Sequence, residues 1–229
     1  MRLLFLGCSW TYGCELAEGR NMRQIIEQKR FSTIIGKKLN AEVVNLANNG
    51  MSNHGIARIF LNQDLDKYDI VFVQMTLPSR TEWYDSTGNC EKARIIYKIR
   101  NREFINQNQL AKQKNCLARE GKKNWYQVLV DREKFMVSGN ILEGKEWWEH
   151  YYEEIYTDEY GNMEEKMIYN LIKNKLVRMN KKHVISSINP DCTLPIDINL
   201  KKGKYPRAKG NHPNELGHVM IASQIMRLL

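Results

Sequence analysis

The sequence predicts an α/β fold of three layers, in which a parallel sheet is covered by helices on both faces. Two observations predict it. Short apolar runs that end at polar or turn residues alternate along the chain with segments of helical periodicity. These runs are nearly continuous in hydrophobicity, as is typical of strands that are buried on both faces. With 229 residues, the chain is long enough for one domain of this kind and does not require two.

Four apolar runs are predicted strands of this sheet, for which we expect a flavodoxin-like strand order that resembles 2-1-3-4-5. The predicted strands are Arg2–Leu6, Glu42–Leu46, Asp69–Gln74 and His183–Ile188. Helical spacing of apolar residues, or a capping residue before it, predicts helices in Arg20–Leu39, after Ser52 or Asn53, in Glu164–Met179 and after Asn214.

The segment 85–160 interrupts this alternation, because it is rich in charged and aromatic residues and has no clear period. We predict that it is a helical insertion within the single domain 1–229, and that it forms a cap over the carboxyl edge of the sheet. Trp147 and Trp148 lie within it. Their rings are candidates for stacking on a substrate, and the alternative is that they anchor the insertion by hydrophobic packing.

The composition argues against several classes of protein. No run of eighteen apolar residues is present, which argues against a membrane-spanning helix. The apolar stretch at residues 3–6 is too short for a secretory signal, so a cytoplasmic protein is expected. The five cysteines are scattered and form no Cys-x-x-Cys pair, which argues against a disulfide framework and a zinc site. The cysteine pattern thus gives no sign of a metal, and no organic cofactor is expected.

Basic residues are concentrated in parts of the chain. The formal net charge is +9, the segment 91–124 is basic, the segment 131–160 is acidic, and residues 201–209 carry only basic charges. A basic surface favours anionic partners, such as acidic polysaccharide or nucleic acid. The alternative is a solvated surface on which the basic and acidic segments partly neutralise each other.

Ser9 and His212 are the candidate catalytic pair. Ser9 directly follows the first predicted strand, and Gly7 before it permits a tight turn. His212 lies between the last strand and the last helix. Because ligands bind at the carboxyl ends of parallel strands, the topology brings both residues to the same edge of the sheet. A serine nucleophile needs a base within hydrogen-bonding distance, and neutral imidazole is suited to that role.

Three segments that contain or adjoin these residues resemble the conserved blocks of the SGNH/GDSL hydrolases. Residues 7–13 (Gly-Cys-Ser-Trp-Thr-Tyr-Gly) resemble the first block, and residues 45–52 (Asn-Leu-Ala-Asn-Asn-Gly-Met-Ser) resemble the second. Residues 212–218 (His-Pro-Asn-Glu-Leu-Gly-His) are similar to the fifth block, in which the first histidine is the base. The resemblance covers nearly the whole chain apart from the insertion. It implies Ser9 as nucleophile, His212 as base and the backbone N–H of Gly50 as an oxyanion donor.

The chain departs from the SGNH/GDSL block pattern at one oxyanion donor. The third block, Gly-x-Asn-Asp, supplies an asparagine to the oxyanion, but the corresponding stretch here begins Val73-Gln74-Met75-Thr76. Gln74 and Thr76 are the candidates to replace that donor, and Arg80 is a further source of positive charge. Loss of one oxyanion donor costs about 10²–10³ in rate, so a competent enzyme requires a replacement.

The second departure concerns the triad acid, which in the SGNH/GDSL hydrolases lies three residues before the histidine. That position is Lys209, which cannot orient an imidazole or stabilise an imidazolium. Asp191 and Asp197, in the loop after the last predicted strand, are the nearest carboxylates in sequence. The alternative is a Ser9–His212 dyad whose second ring nitrogen donates to a backbone carbonyl.

The resemblance implies a serine esterase that removes O-acyl groups, most simply acetate, from a carbohydrate or glycan. Its acyl group varies within the family, and carbohydrate is preferred here for the basic surface and the aromatic insertion. Asn53, Arg80, Trp147 and Trp148 are the candidates for substrate contacts. Two alternatives stay open: a non-catalytic module of the same fold that binds glycan or nucleic acid, and an acyltransferase. The oligomeric state is not predicted.

Overall fold

The computed structural model describes residues 1–17, 22–84, 94–98, 103–105, 125–131, 134–138, 155–201, 203, 205–209 and 211–229. Its central sheet has five strands, all parallel, in the order β2-β1-β3-β9-β10. With the two-residue last strand included, this is the predicted order 2-1-3-4-5, and the predicted α/β fold class is confirmed. The strands are β1 (Arg2–Leu6), β2 (Glu42–Asn45), β3 (Ile70–Met75), β9 (Lys182–Ser187) and β10 (Ile198–Asn199).

Six α-helices connect or flank these strands in the described part of the chain. They are α1 (Ser9–Tyr12), α2 (Met22–Lys29), α3 (Phe31–Leu39), α4 (Asn53–Leu61), α5 (Asp158–Arg178) and α6 (Glu215–Met226). A 3-10 turn also spans Leu65–Lys67. Helix α3 packs against α6, and α4 packs against α5. All six residues of β3 are buried, as its continuous hydrophobicity predicts for a central strand that is covered on both faces.

Local sequence signals set several helix ends. Ser52 is the N-cap of α4 and accepts a hydrogen bond from the N–H of Gly55 at 3.0 Å. Asn214 caps α6 in the same way, with the N–H of Gly217 at 3.0 Å. Both caps agree with the prediction from sequence. The predicted helix at Arg20–Leu39 is a pair, because Arg30 adopts an extended conformation and serves as the N-cap of α3.

The prediction of a helical insertion is wrong for the part of segment 85–160 that the structure describes. A second, antiparallel sheet occupies it, with strand order β4-β7-β8-β5-β6. Short strands of this kind lack a period long enough to detect, and the mixture of aromatic, β-branched and charged residues hides the alternation. Its strands are β4 (Thr81–Tyr84), β5 (Arg94–Lys98), β6 (Glu103–Ile105), β7 (Trp125–Asp131) and β8 (Lys134–Ser138).

The second sheet starts close to the carboxyl edge of the first. Strand β4 begins at Thr81, a few residues after β3 ends at Met75. Arg58 of α4 holds Glu82 of β4 through a bidentate ion pair, with its Nε and Nη2 atoms 3.0 and 2.9 Å from the carboxylate oxygens. Both side chains are largely buried, with exposed fractions of 15% and 7%. This ion pair fixes the start of the second sheet to the core.

Helix α5 begins earlier than predicted, at Asp158 and not at Glu164, because Thr157 caps it by accepting from the N–H of Tyr160 at 3.1 Å. No helix in the described ranges has an apolar stretch long enough to cross a membrane.

Candidate active site

Ser9 lies where β1 meets the short helix α1. Gly7, between the two elements, packs so closely on its neighbours that a Cβ there would lie 2.6 Å from Thr11 Oγ1 and 2.8 Å from Gln74 Cβ. Only glycine fits that contact. Gly13 ends the helix in the left-handed region, with φ of 93°, and its N–H donates to the carbonyl of Ser9. The turn therefore presents Ser9 at the carboxyl edge of the sheet.

Gln74 stabilises this turn through hydrogen bonds to Thr11 and Cys8. Its Oε1 accepts hydrogen bonds from the backbone N–H and the hydroxyl of Thr11, and its Nε2 donates to Cys8 Sγ at 2.9 Å. The side chain is fully buried. Gln74, a sequence candidate for the oxyanion donor, is thus placed by the structure in the support of the Ser9 turn.

Cys8 contacts the candidate nucleophile, with its Sγ 3.8 Å from Ser9 Oγ. Burial raises the pKa of this thiol, but the positive charge of Arg80 and hydrogen bonds from neighbouring groups outweigh burial, and the pKa is lowered overall. The surroundings of Ser9 therefore favour negative charge.

His212 is the neighbour of Ser9 on the solvent side. Its Nε2 lies 2.9 Å from Ser9 Oγ. A tight loop holds the backbone here, since the N–H of Ala208 donates to the His212 carbonyl at 2.8 Å and Asn211 adopts a positive φ of 71°. The structure thus brings together the two residues that the sequence analysis paired, at a distance that permits direct proton transfer.

Glu15 completes the line of hydrogen bonds. Its Oε2 lies 2.8 Å from His212 Nδ1 and also accepts from the His212 backbone N–H at 3.1 Å. Glu15 has a positive φ of 66°, which turns the chain after α1 back towards the histidine. The carboxylate fixes the ring so that Nδ1 carries the proton and Nε2 is free to accept one from Ser9.

The candidate acids Asp191 and Asp197 lie elsewhere in the structure and do not contact His212 Nδ1. Asp197 Oδ2 accepts from the backbone N–H of Ile185 at 2.7 Å, which fixes the loop after β9 to the sheet. Asp191 starts a turn in the same loop, with its N–H donating to Asn189 Oδ1 at 3.1 Å. The carboxylate on His212 Nδ1 is Glu15, so neither aspartate and no backbone carbonyl is its partner there. The one available signal was a glutamate six residues after the candidate nucleophile.

The second block is fixed to the Ser9 turn, and this places Gly50 nearby. The N–H of Asn48 donates to the carbonyl of Gly7 at 3.2 Å, and Gly50 follows in a turn with φ of 73°. A left-handed residue at this point favours glycine. The role in oxyanion binding that the resemblance implies for the Gly50 N–H stays a prediction.

Thr76 and Asn53, two further sequence candidates, form a reciprocal pair. The N–H of Thr76 donates to Asn53 Oδ1 at 2.8 Å, and Asn53 Nδ2 donates to the Thr76 carbonyl at 3.2 Å. Both residues are buried. Asn53 therefore holds the backbone after β3 in place. The hydroxyl of Thr76 lies 2.7 Å from Arg80 Nη1, so Arg80 is brought to the site by the same loop.

Two candidates fall outside the description. Trp147 and Trp148 lie among the residues that the structure does not describe. In the described ranges, no three His, Cys, Asp or Glu side chains are grouped as the ligands of a metal ion would be.

The electrostatic surroundings keep His212 neutral. Burial lowers its pKa below the usual value near 6.5, the hydrogen bond and charge of Glu15 oppose this, and the charges of Arg80 and Lys201 lower it further. The balance is a lowered pKa. At neutral pH the ring is therefore in the form that accepts a proton from Ser9.

This balance predicts the pH profile of any reaction that uses His212 as a base. Protonation of the ring at low pH abolishes activity, so kcat/KM falls on the acid side with the pKa of His212. Because that pKa is lowered, we expect activity to persist below the pH at which an ordinary histidine protonates. The measurement is kcat/KM for an acetyl ester between pH 4 and 9. An acid limb above pH 6.5, the ordinary histidine value, would contradict this assignment.

Comparison with solved structures gives several similar chains. The chain is similar to an acetyl xylan esterase with 11% identity, a TM-score of 0.46 and coverage of 100% of both chains. It is similar to a member of the G-D-S-L lipolytic family from Veillonella parvula with 11% identity, a TM-score of 0.37 and coverage of 99% of this chain and 96% of the other.

A third similar structure is an acetylxylan esterase from Geobacillus stearothermophilus, at 13% identity, a TM-score of 0.36 and coverage of 99% of this chain and 93% of the other. No protein-family model matches the chain, and no curated protein sequence matches it.

Proposed function

We propose that this chain is a serine esterase of the SGNH/GDSL type, which hydrolyses O-acyl esters, most simply acetate, of a carbohydrate. The observation that carries the proposal is the unbroken line Glu15–His212–Ser9, with heavy-atom distances of 2.8 and 2.9 Å. Each contact serves one step of acyl transfer. The carbohydrate part of the proposal comes from the sequence, whose basic surface and paired tryptophans are suited to an anionic or sugar-bearing partner.

In the first half of the reaction, Ser9 Oγ attacks the acyl carbonyl carbon and His212 Nε2 takes the serine proton. The carbonyl oxygen becomes an oxyanion, which the backbone N–H groups of Ser9 and Gly50 stabilise. The tetrahedral intermediate then breaks its bond to the alcohol oxygen. His212 returns its proton to that oxygen, and the alcohol departs from an acyl-enzyme.

In the second half, water replaces the alcohol. His212 Nε2 takes a proton from the water, whose oxygen attacks the acyl carbon, and the intermediate collapses to the free acid and Ser9. Glu15 carries negative charge throughout and stabilises the imidazolium that forms twice in each cycle. An acyltransferase follows the same course, with an acceptor alcohol in place of the water.

Glu15 also bears on the non-catalytic alternative. That alternative was motivated by Lys209, which stands where the resembled family has its acid. A carboxylate from the Ser9 turn supplies the same function from a different point in the chain. This supports an enzyme over a binding module of the same fold.

The test is covalent labelling and turnover of one preparation. A fluorophosphonate probe is expected to label Ser9, and 4-nitrophenyl acetate is expected to release nitrophenol with continued turnover. Labelling must disappear in Ser9→Ala but persist in Ser223→Ala, whose serine lies on α6 and donates to the Val219 carbonyl. Absence of both labelling and turnover in folded protein would overturn the proposal. Acetyl transfer to an added alcohol in preference to water would identify the acyltransferase.

A further inference from the structure

Arg80 lies beside the reacting groups and has no carboxylate partner among the residues that the structure describes. Its one hydrogen bond there runs from Nη1 to Thr76 Oγ1 at 2.7 Å. Thr76 follows β3, the strand that pairs with β1 and the Ser9 turn. The side chain is half-buried. A partly exposed guanidinium without a carboxylate partner is available to bind an anion.

Lys201 is a second cation in the neighbourhood of Ser9. Lys201 Nζ lies 5.4 Å from the ring centroid of Trp10, the residue that follows Ser9. Arg207 packs on the same ring at 5.5 Å, and its Nη2 donates to the Lys201 carbonyl at 3.1 Å. These contacts hold Lys201 at the rim of the site. Arg80 and Lys201 are both close enough to act on the His212 ring electrostatically.

We infer that Arg80, with Lys201 beside it, forms a subsite for a carboxylate on the alcohol part of the ester, so that the substrate is an O-acylated acidic sugar. This rests on the proposed function. An acetyl group has no ionisable function, and the anion therefore belongs to the alcohol. Arg80 Nη1 is bound to Thr76. The planar guanidinium, with its fork of N–H donors, matches the geometry of a carboxylate better than an ammonium group does. Glu15, the carboxylate at the site, is already engaged with His212.

The test compares two substrates that differ in one charge: O-acetyl glucuronic acid and O-acetyl glucose, with acetate release as the readout. The wild-type chain is expected to prefer the uronate. Arg80→Gln is expected to lower kcat/KM for the uronate by about 10–100-fold, mainly through KM, because a charge-assisted hydrogen bond is lost. Its kcat/KM for O-acetyl glucose is expected to change less than about threefold, since this sugar has no carboxylate for Arg80 to bind.

Matched variants separate a subsite from other roles. Arg80→Lys keeps the charge but not the fork and is expected to recover part of the preference. Lys201→Gln is expected to give a smaller loss for the uronate alone. Arg178→Gln removes an exposed arginine at the end of α5 and is expected to leave both rates unchanged. Circular dichroism and thermal unfolding establish that each variant is folded.

Two outcomes overturn the inference and leave the proposed function standing. The first is an active wild-type chain without preference for the uronate. The second is an Arg80→Gln variant in which kcat falls equally for both substrates, which would assign Arg80 to the oxyanion alone. If neither ester is turned over, the proposed function fails. Binding of free glucuronate, measured by calorimetry in wild type and Arg80→Gln, then decides the subsite separately: Arg80-dependent binding supports it, and no binding overturns it.

Discussion

Ser9→Ala and His212→Ala are each expected to lower kcat/KM for acetyl ester hydrolysis by about 10⁴–10⁶-fold, because each removes one half of the nucleophile–base pair. The two residues are joined by one hydrogen bond of 2.9 Å and act in the same proton transfer. The double variant is therefore expected to be no slower than the worse of the two single variants. Steady-state rates of nitrophenol release, with the uncatalysed rate subtracted, measure this.

Two controls accompany the rate measurement. His183→Gln is the first control, because this histidine lies far from Ser9. The His183 ring lies between Lys173 Nζ at 2.8 Å and the Lys181 carbonyl at 2.7 Å. The rate of this variant is expected to match wild type. Substrate binding should survive in Ser9→Ala, because the serine hydroxyl contributes to attack more than to affinity. Single-variant losses that multiply in the double variant would show that Ser9 and His212 act in separate steps, against the mechanism proposed here.

The parallel sheet was readable from the sequence because its signal is local. Each central strand is a short run of buried apolar residues, and β3 shows this best since both of its faces are covered. Ser52 and Asn214 mark helix starts through side chains that accept from backbone N–H groups three residues ahead. Handedness of the crossovers then restricts the strand order to very few choices. Local signals and one topological rule thus suffice for the parallel sheet.

The position of the carboxylate was not readable, because it depends on long-range geometry. Glu15 and His212 are 197 residues apart, and they meet because Glu15 adopts a positive φ after the left-handed Gly13. No periodicity or composition signals such a turn. The sequence analysis searched the loop before His212, as the resemblance suggested. In the structure, Asp197 of that region binds the backbone of β9.

The same limit applies to Gln74 and Asn53. Gln74 lies near the end of β3, and Asn53 is the first residue of α4. The sequence cannot distinguish a polar side chain that faces the ligand from one that supports the backbone. The structure shows both engaged with protein groups: Gln74 with the Thr11 turn and Asn53 with Thr76. In the insertion, aromatic and charged residues hid the strands. The missing information there was again a long-range pairing, between β4 and β7 and between β5 and β8.

Glu15→Gln is expected to lower kcat by about 10²–10⁴-fold while the protein stays folded, because an amide neither fixes the histidine tautomer nor stabilises the imidazolium. The pH profile distinguishes this role from mere support of the turn. The hydrogen bond and charge of Glu15 raise the pKa of His212 against the effect of burial. Removing the charge lowers that pKa further, so the acid limb of kcat/KM must move to lower pH in Glu15→Gln. Glu15→Asp, which keeps the charge, is expected to retain the wild-type limb.

Lys209→Asp tests whether a carboxylate at position 209, where the SGNH/GDSL hydrolases carry their triad acid, can act on His212. In the wild-type background it is expected to change kcat less than about threefold, because Glu15 already occupies His212 Nδ1 at 2.8 Å. In the Glu15→Gln background it is expected to recover about tenfold or more of the lost rate, since a carboxylate from the His212 loop reaches the freed nitrogen. A large gain in the wild-type background, or a Glu15→Gln variant with unchanged kcat and acid limb, would show that His212 works without Glu15.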